Sequence, residues 1–146
     1  MRKLEFLVGT WTGEARITRG AGETTELVQT EVAGYKLDGL ILVIEGIGSA
    51  KSGMAPVLQA LGVISYEDET KTYCMRAFND GRFLETNVKL LEEGKGIAWG
   101  FVLGEITTKS VMRFNEKDEW TELHEIIIGS QPPKRLMELS IRRQQT

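Results

Sequence analysis

The chain has 146 residues, 16 of them glycine and 3 proline, and 18 Lys+Arg against 21 Asp+Glu leave a net charge of −3. That length fits one domain, 1–146, with a sizeable core; glycine excess without proline points to tight turns, and mild acidity excludes the basic field of non-specific nucleic-acid binding. A lone cysteine, Cys74, excludes an intramolecular disulfide and a cysteine-held zinc. No apolar run reaches the ~20 residues of a membrane span, and the apolar stretch after Arg2 and Lys3 is too short for a signal peptide, so the expected location is cytoplasmic.

In chain order, 2–8 reads as a short helix. It is followed by β-prone runs over 10–18, 24–33, 39–47, 60–66, 72–78, 82–91, 96–103, 105–114, 120–128 and 135–143. Turn clusters separate them at 19–22, 68–71, Asn79-Asp80-Gly81, 92–95, 115–118 and 129–133, where Gly, Asn and Asp supply positive φ angles. The one other place for a helix is 51–60. Links this short make an antiparallel meander, because a parallel sheet needs crossovers of about a dozen residues. Gly13, Gly62 and Gly100 fall inside runs, where glycine weakens a sheet unless it bends or meets another backbone. Both points favour an all-β, closed antiparallel barrel of about ten strands with a short N-terminal helix.

Side-chain alternation sorts the faces. Trp11, Gly13, Ala15 and Ile17 share one face of the first run, and Met137, Leu139 and Ile141 one face of the last. In the eighth, Ile106, Thr108, Ser110, Met112 and Phe114 form a half-polar inner face that fits a ligand cavity better than a dry core. Three runs, Leu40 to Ile44, Ile97 to Leu103 and Ile126 to Ile128, are apolar on both faces. Scattered surface hydrophobes explain this, or else the outer faces are covered by the loop near Met54 or by a second copy in a homodimer.

The opening Gly9-Thr10-Trp11-Thr12-Gly13 carries a G-x-W signature and resembles the start of a lipocalin-like (calycin) β-barrel. The resemblance implies a short helix leading into the first strand. It also implies that Trp11 closes one end of the barrel against an arginine of the last strand, Arg143 by parity or else Arg142. The stretch Gly62-Val63-Ile64-Ser65-Tyr66-Glu67 with Tyr73 is similar to a bacterial lipocalin-like family, domain-of-unknown-function family fifteen seventy-nine. So are Met112-Arg113-Phe114, Trp120-Thr121-Glu122, Met137-Glu138 and Arg142-Arg143, although that family reads Gly-Tyr-Asp where this chain has Ser65-Tyr66-Glu67. A more distant likeness is to nitrobindins, haem-binding barrels whose axial histidine precedes the last strand. Here that stretch, 131–135, holds no histidine, which argues against haem, and no cofactor or metal is expected.

The leading expectation is non-covalent binding of a small, mostly apolar ligand inside the barrel. Candidate lining residues are Met75, Trp99, Phe101, Met112 and Phe114, with Tyr73 as a polar handle and His124 beside them, although the same side chains also suit a packed core. Gly9, Trp11 and Arg143 are the expected barrel-closing set. His124, the one histidine, shares a face with Trp120, Glu122 and Ile126. The plainest reading is a surface histidine beside surface glutamates. The alternative is an enzyme, hydrolase-like or isomerase-like, using Glu122 and His124, or Tyr73, at the cavity. Cys74 shares a face with Arg76 and Phe78 and reads as a buried thiol more readily than as a nucleophile working with His124. The stretch 45–52 lacks the glycines of a phosphate-binding loop; Gly48 to Leu58, with Met54, Pro56, Val57 and Leu58, fits a mobile lid over the barrel mouth or a plain connecting loop.

Overall fold

The computed structural model of the chain describes residues 1–19, 22–53, 56–79, 81–92 and 95–145. A 3-10 helix, Arg2–Leu7, leads into antiparallel strands β1 (Gly9–Arg19), β2 (Glu23–Lys36), β3 (Ile41–Ala50), β4 (Pro56–Glu67), β5 (Thr72–Asn79), β6 (Arg82–Glu92), β7 (Gly96–Trp99), β8 (Val102–Leu103), β9 (Ile106–Phe114), β10 (Trp120–Ile128) and β11 (Lys134–Arg143). The hydrogen-bonded order is β10-β11-β1-β2-β3-β4-β5-β6-β7-β9, and β9 pairs back to β10 to close a ten-stranded barrel. The two-residue β8 hangs on β9. Among the described residues no helix is long and apolar enough to cross a membrane.

Three boundaries differ from the sequence expectation, each for a local reason. At 51–60, the other place where a helix could form, the described residues hold none. Pro56 onward is already strand, pairing Leu58 with Gly48 and Ala60 with Gly46. The third strand starts at Ile41 because Leu37 and Asp38 take left-handed conformations, φ 53° and 56°, ahead of Gly39 at φ 88°. The run at 96–103 is broken at Gly100 and Phe101. A Cβ at Gly100 would collide with the Thr108 carbonyl, and threonine hydroxyls take over from the ladder. Thr108 Oγ1 accepts from the Phe101 amide at 3.0 Å, and Thr86 Oγ1 donates to the Gly100 carbonyl at 2.6 Å. Met54, Asp80, Glu93 and the turn glycines Gly20 and Gly94 lie outside the described residues.

Burial divides the barrel along its axis. At the end covered by the helix, Leu4, Leu7, Trp11, Leu42, Ile64, Tyr73, Val88, Ile97, Met112, Trp120 and Ile141 form a packed floor. Toward the other end the inward positions Ile44, Ala60, Ala77, Trp99 and Met137 are only half-buried. Ala15, Leu27 and Leu139 are buried as well, so the looser part of the interior is a shallow cup beside those half-buried side chains. Its floor is locked by Trp11, whose Nε1 donates to the Leu7 carbonyl at 2.9 Å. The Arg143 guanidinium lies over the indole, 4.3 Å from the ring centroid, and donates to the carbonyls of Val8 and Phe6. Gly9, at φ 140°, leaves room for that guanidinium, which a Cβ would strike.

On the outside, Val28, Val32, Ile47, Phe78 and Phe83 of β2 to β6 stay exposed in the single chain, and Phe78 and Phe83 pack on each other at 5.1 Å.

Candidate functional site

The interior polar groups come from β2, β9 and β10, and glycines make room for them. On β2 the alternation runs opposite to the usual sense: Val28 and Val32 face solvent while Gln29 and Glu31 point inward and are buried. Register sets Gln29 between Gly13 and Gly48, and Glu31 between Trp11 and Gly46. A Cβ on Gly46 or Gly48 would occupy the space of those carboxylate and amide groups. Gln29 Nε2 donates to Glu31 Oε1 at 3.4 Å. Gln29 Oε1 is buried without a partner.

Opposite lies a continuous hydrogen-bonded chain. Trp120 Nε1 donates to Glu122 Oε2 at 2.6 Å. Glu122 Oε1 faces His124 Nε2 at 2.9 Å, and His124 Nδ1 meets Ser110 Oγ at 2.6 Å. With the carboxylate accepting, Nε2 carries the hydrogen and Nδ1 of the neutral ring accepts from the serine. Trp99 stands edge-on to the imidazole at 5.7 Å. Glu122 and His124 are thus inside the barrel, which overturns the surface reading: the pairing of Glu122 with Met112 and Leu139 puts them on the core face. Burial, and then the negative charge of Glu122, push the Glu31 carboxyl up to about 8, although the bond from Gln29 opposes the rise.

The wall across from this cluster is lined by small residues. Gly62, flanked by Ile44 and Ala77, has nothing within 4 Å of where a Cβ would stand. In this it differs from Gly13 and Gly100, whose missing side chains let backbones approach. The open volume therefore sits over β4 and β5, facing the polar chain on β9 and β10.

The expected lining residues fall in different places. Met75 and Met112 belong to the buried floor, and Phe114 packs there on Phe6 at 5.7 Å and Trp11 at 5.4 Å. Tyr73 is buried against Tyr66, and that burial raises its phenol above the ordinary value. Trp99 and His124 lie higher, half-buried. Phe101 sits in the break between β7 and β8, outside the side chains packed on the core. Cys74 is on the outer face, 3.7 Å from Asn87, with the wall between it and His124, so the two form no catalytic pair. Sequence reasoning missed Gln29, Glu31 and the role of Ser110. The available signal was Gly46 and Gly48, two glycines at strand spacing, with space above them for a neighbour's polar side chains. Among the described residues no group of three or more His, Cys, Asp or Glu is placed to hold a metal ion.

A concavity of about 690 Å3 lies on the outer wall across β1, β2, β9, β10 and β11. Its charges compensate each other: Lys51 pairs with Glu14 at 2.8 Å and Glu26 at 3.4 Å, and Arg135 with Glu138 at 3.3 Å.

No family model and no curated protein matches the chain. Solved structures do share its fold. The crystal structure of Rv2717c from M. tuberculosis is 12% identical, with a TM-score of 0.71 over 99% of both chains. The S-type phycobiliprotein lyase CPES from Guillardia theta is also 12% identical, with a TM-score of 0.67 over 99% of this chain and 92% of that one. At that identity the likeness is one of fold, a lipocalin-like barrel.

Proposed function

We propose that the protein binds a small, mostly apolar molecule inside the barrel cup. The observation that carries this reading is the unfilled space at Gly62, bounded by half-buried Ile44, Ala60 and Ala77 and faced by Trp99 and His124. Apolar burial supplies the affinity, and the polar cluster orients the ligand. The motif order from Gly62 to Arg143 supports grouping the chain with the bacterial lipocalin-like family named above. The apolar outer face on β2 to β6 supports association with a second copy.

The test uses the neutral fluorophore phenylnaphthylamine. It is expected to brighten saturably with one site per chain. Gly62→Phe, which enters open space at an ordinary strand φ, is expected to lower its affinity by at least about tenfold with an unchanged circular-dichroism spectrum. Ala77→Leu serves the same purpose should the first variant misfold. Binding unaffected by either folded variant would overturn the reading.

The Ser110–His124–Glu122 chain favours a second reading, an acyl-transfer enzyme. Ser110 Oγ would attack a carbonyl while its proton passes to Nδ1 and on to the leaving group. Ser110 is only 5% exposed, which leaves its hydroxyl little access to a substrate carbonyl and ranks binding first. Ester turnover abolished by Ser110→Ala would reverse that order.

A further inference from the structure

Resting on the cup as a binding site, we propose that its ligand carries a protonated amine or a similar cationic N–H group, seated at Glu31 beside Gln29. Three observations carry this. Glu31 is 8% exposed and takes a bond from Gln29 Nε2 on Oε1, while Gln29, 1% exposed, holds its own Oε1 without a partner. A buried acceptor left unmatched costs roughly 1–3 kcal/mol, so Gln29 Oε1 is poised to accept from an N–H donor, with the Glu31 carboxyl beside it to hold the charge. Among the described side chains, the chamber also contains no cation to answer its acids. Among the described residues no inward position between floor and rim holds lysine or arginine. Arg143 is engaged at the closed end, and Arg82 and Lys134 stand exposed at the rim. Finally, the walls that accompany these acceptors are apolar or small, which suits an alkyl or aromatic body attached to the charged head.

A carboxylate-headed ligand would meet the opposite situation. Glu31 and Glu122 would repel it, and no interior guanidinium or ammonium would offset its desolvation. The titratable group whose charge acts on Glu31 is Glu122 of β10. The inner faces of its neighbours β1 and β3 bring only Trp11, Gly13 and Ala15, and Ile44, Gly46 and Gly48. A cation beside Glu31 pulls the carboxyl down from about 8, so binding near neutral pH releases a proton from it.

The experiment displaces phenylnaphthylamine with dodecylammonium, dodecanol and dodecanoate, which share one chain and differ in head group. Dodecylammonium is expected to displace it at concentrations at least about tenfold below dodecanoate. Glu31→Gln is expected to bring the ratio of ammonium to alcohol affinity toward one, and calorimetry in buffers of different ionisation enthalpy should register proton release with ammonium alone. Dodecanoate displacing as well as dodecylammonium, or a head-group preference that survives Glu31→Gln, would overturn the proposal while leaving the cup intact. Failure of all three probes and of the fluorophore would instead remove the cup itself.

Discussion

Trp11→Ala is expected to destabilise the fold by about 3–5 kcal/mol, read as a lower urea midpoint with an unchanged slope. The indole is 2% exposed and meets Trp120 at 5.2 Å and Phe114 at 5.4 Å. Its removal leaves a cavity at the centre of the floor. It also strips the Arg143 guanidinium of its π partner and leaves the Leu7 carbonyl without its donor. Trp11→Phe keeps part of the packing but not the donor, so an intermediate loss is expected. A cost under about 1 kcal/mol for the alanine variant would mean that the floor is not held by this residue.

The second large effect is a dependence of stability on pH set by Glu31. Its carboxyl sits at about 8 in the folded protein, against an ordinary 4.5. Between those values the folded state holds a proton that the unfolded state has released. The contribution is therefore fully present below about pH 4.5 and is lost as pH rises through 8. The full span corresponds to roughly 5 kcal/mol as an upper bound, because water entry and local relaxation reduce the cost of charging a buried carboxyl. Urea midpoints should fall from about pH 5.5 to about pH 8.5 in the native protein and stay nearly level in Glu31→Gln. The acids with lowered values, Glu14 beside Lys51 and Glu119 beside Asn115 and Arg142, titrate below this window and do not obscure it. Equal slopes in the two proteins would place the titrating group elsewhere.

Much of the barrel was legible because each strand carries its own evidence. Alternation from Trp11 to Ile17 and from Met137 to Ile141 gave both the strands and their inner faces, and the spacing of turn residues excluded a parallel sheet. The closing group was legible through Gly9-Thr10-Trp11 and the parity of Arg143. The polar interior was harder to read. In the stretch Leu27 to Ala33 both faces mix polar and apolar residues, so alternation alone does not tell which faces in. That choice is made by the partners Gly46 and Gly48 of the neighbouring strand, which make room for Glu31 and Gln29. The same limit applied to Glu122 and His124. Their shared face was evident, but its direction follows from pairing with Met112 and Leu139. The break at Gly100 was hidden for another reason: it depends on the hydroxyls of Thr86 and Thr108, distant in sequence.

The most direct measurement of the central claim is an amide and indole NMR titration of the isotope-labelled protein with dodecylammonium. A ligand in the cup should move the indole resonance of Trp99 and the amides of Ala60, Gly62, Ala77 and His124, with the indole of Trp11 in the floor changing little. Shifts confined to Val28, Val32, Ile47, Phe78 and Phe83, with the interior resonances still, would place the apolar ligand on the outer wall and contradict an interior binding site.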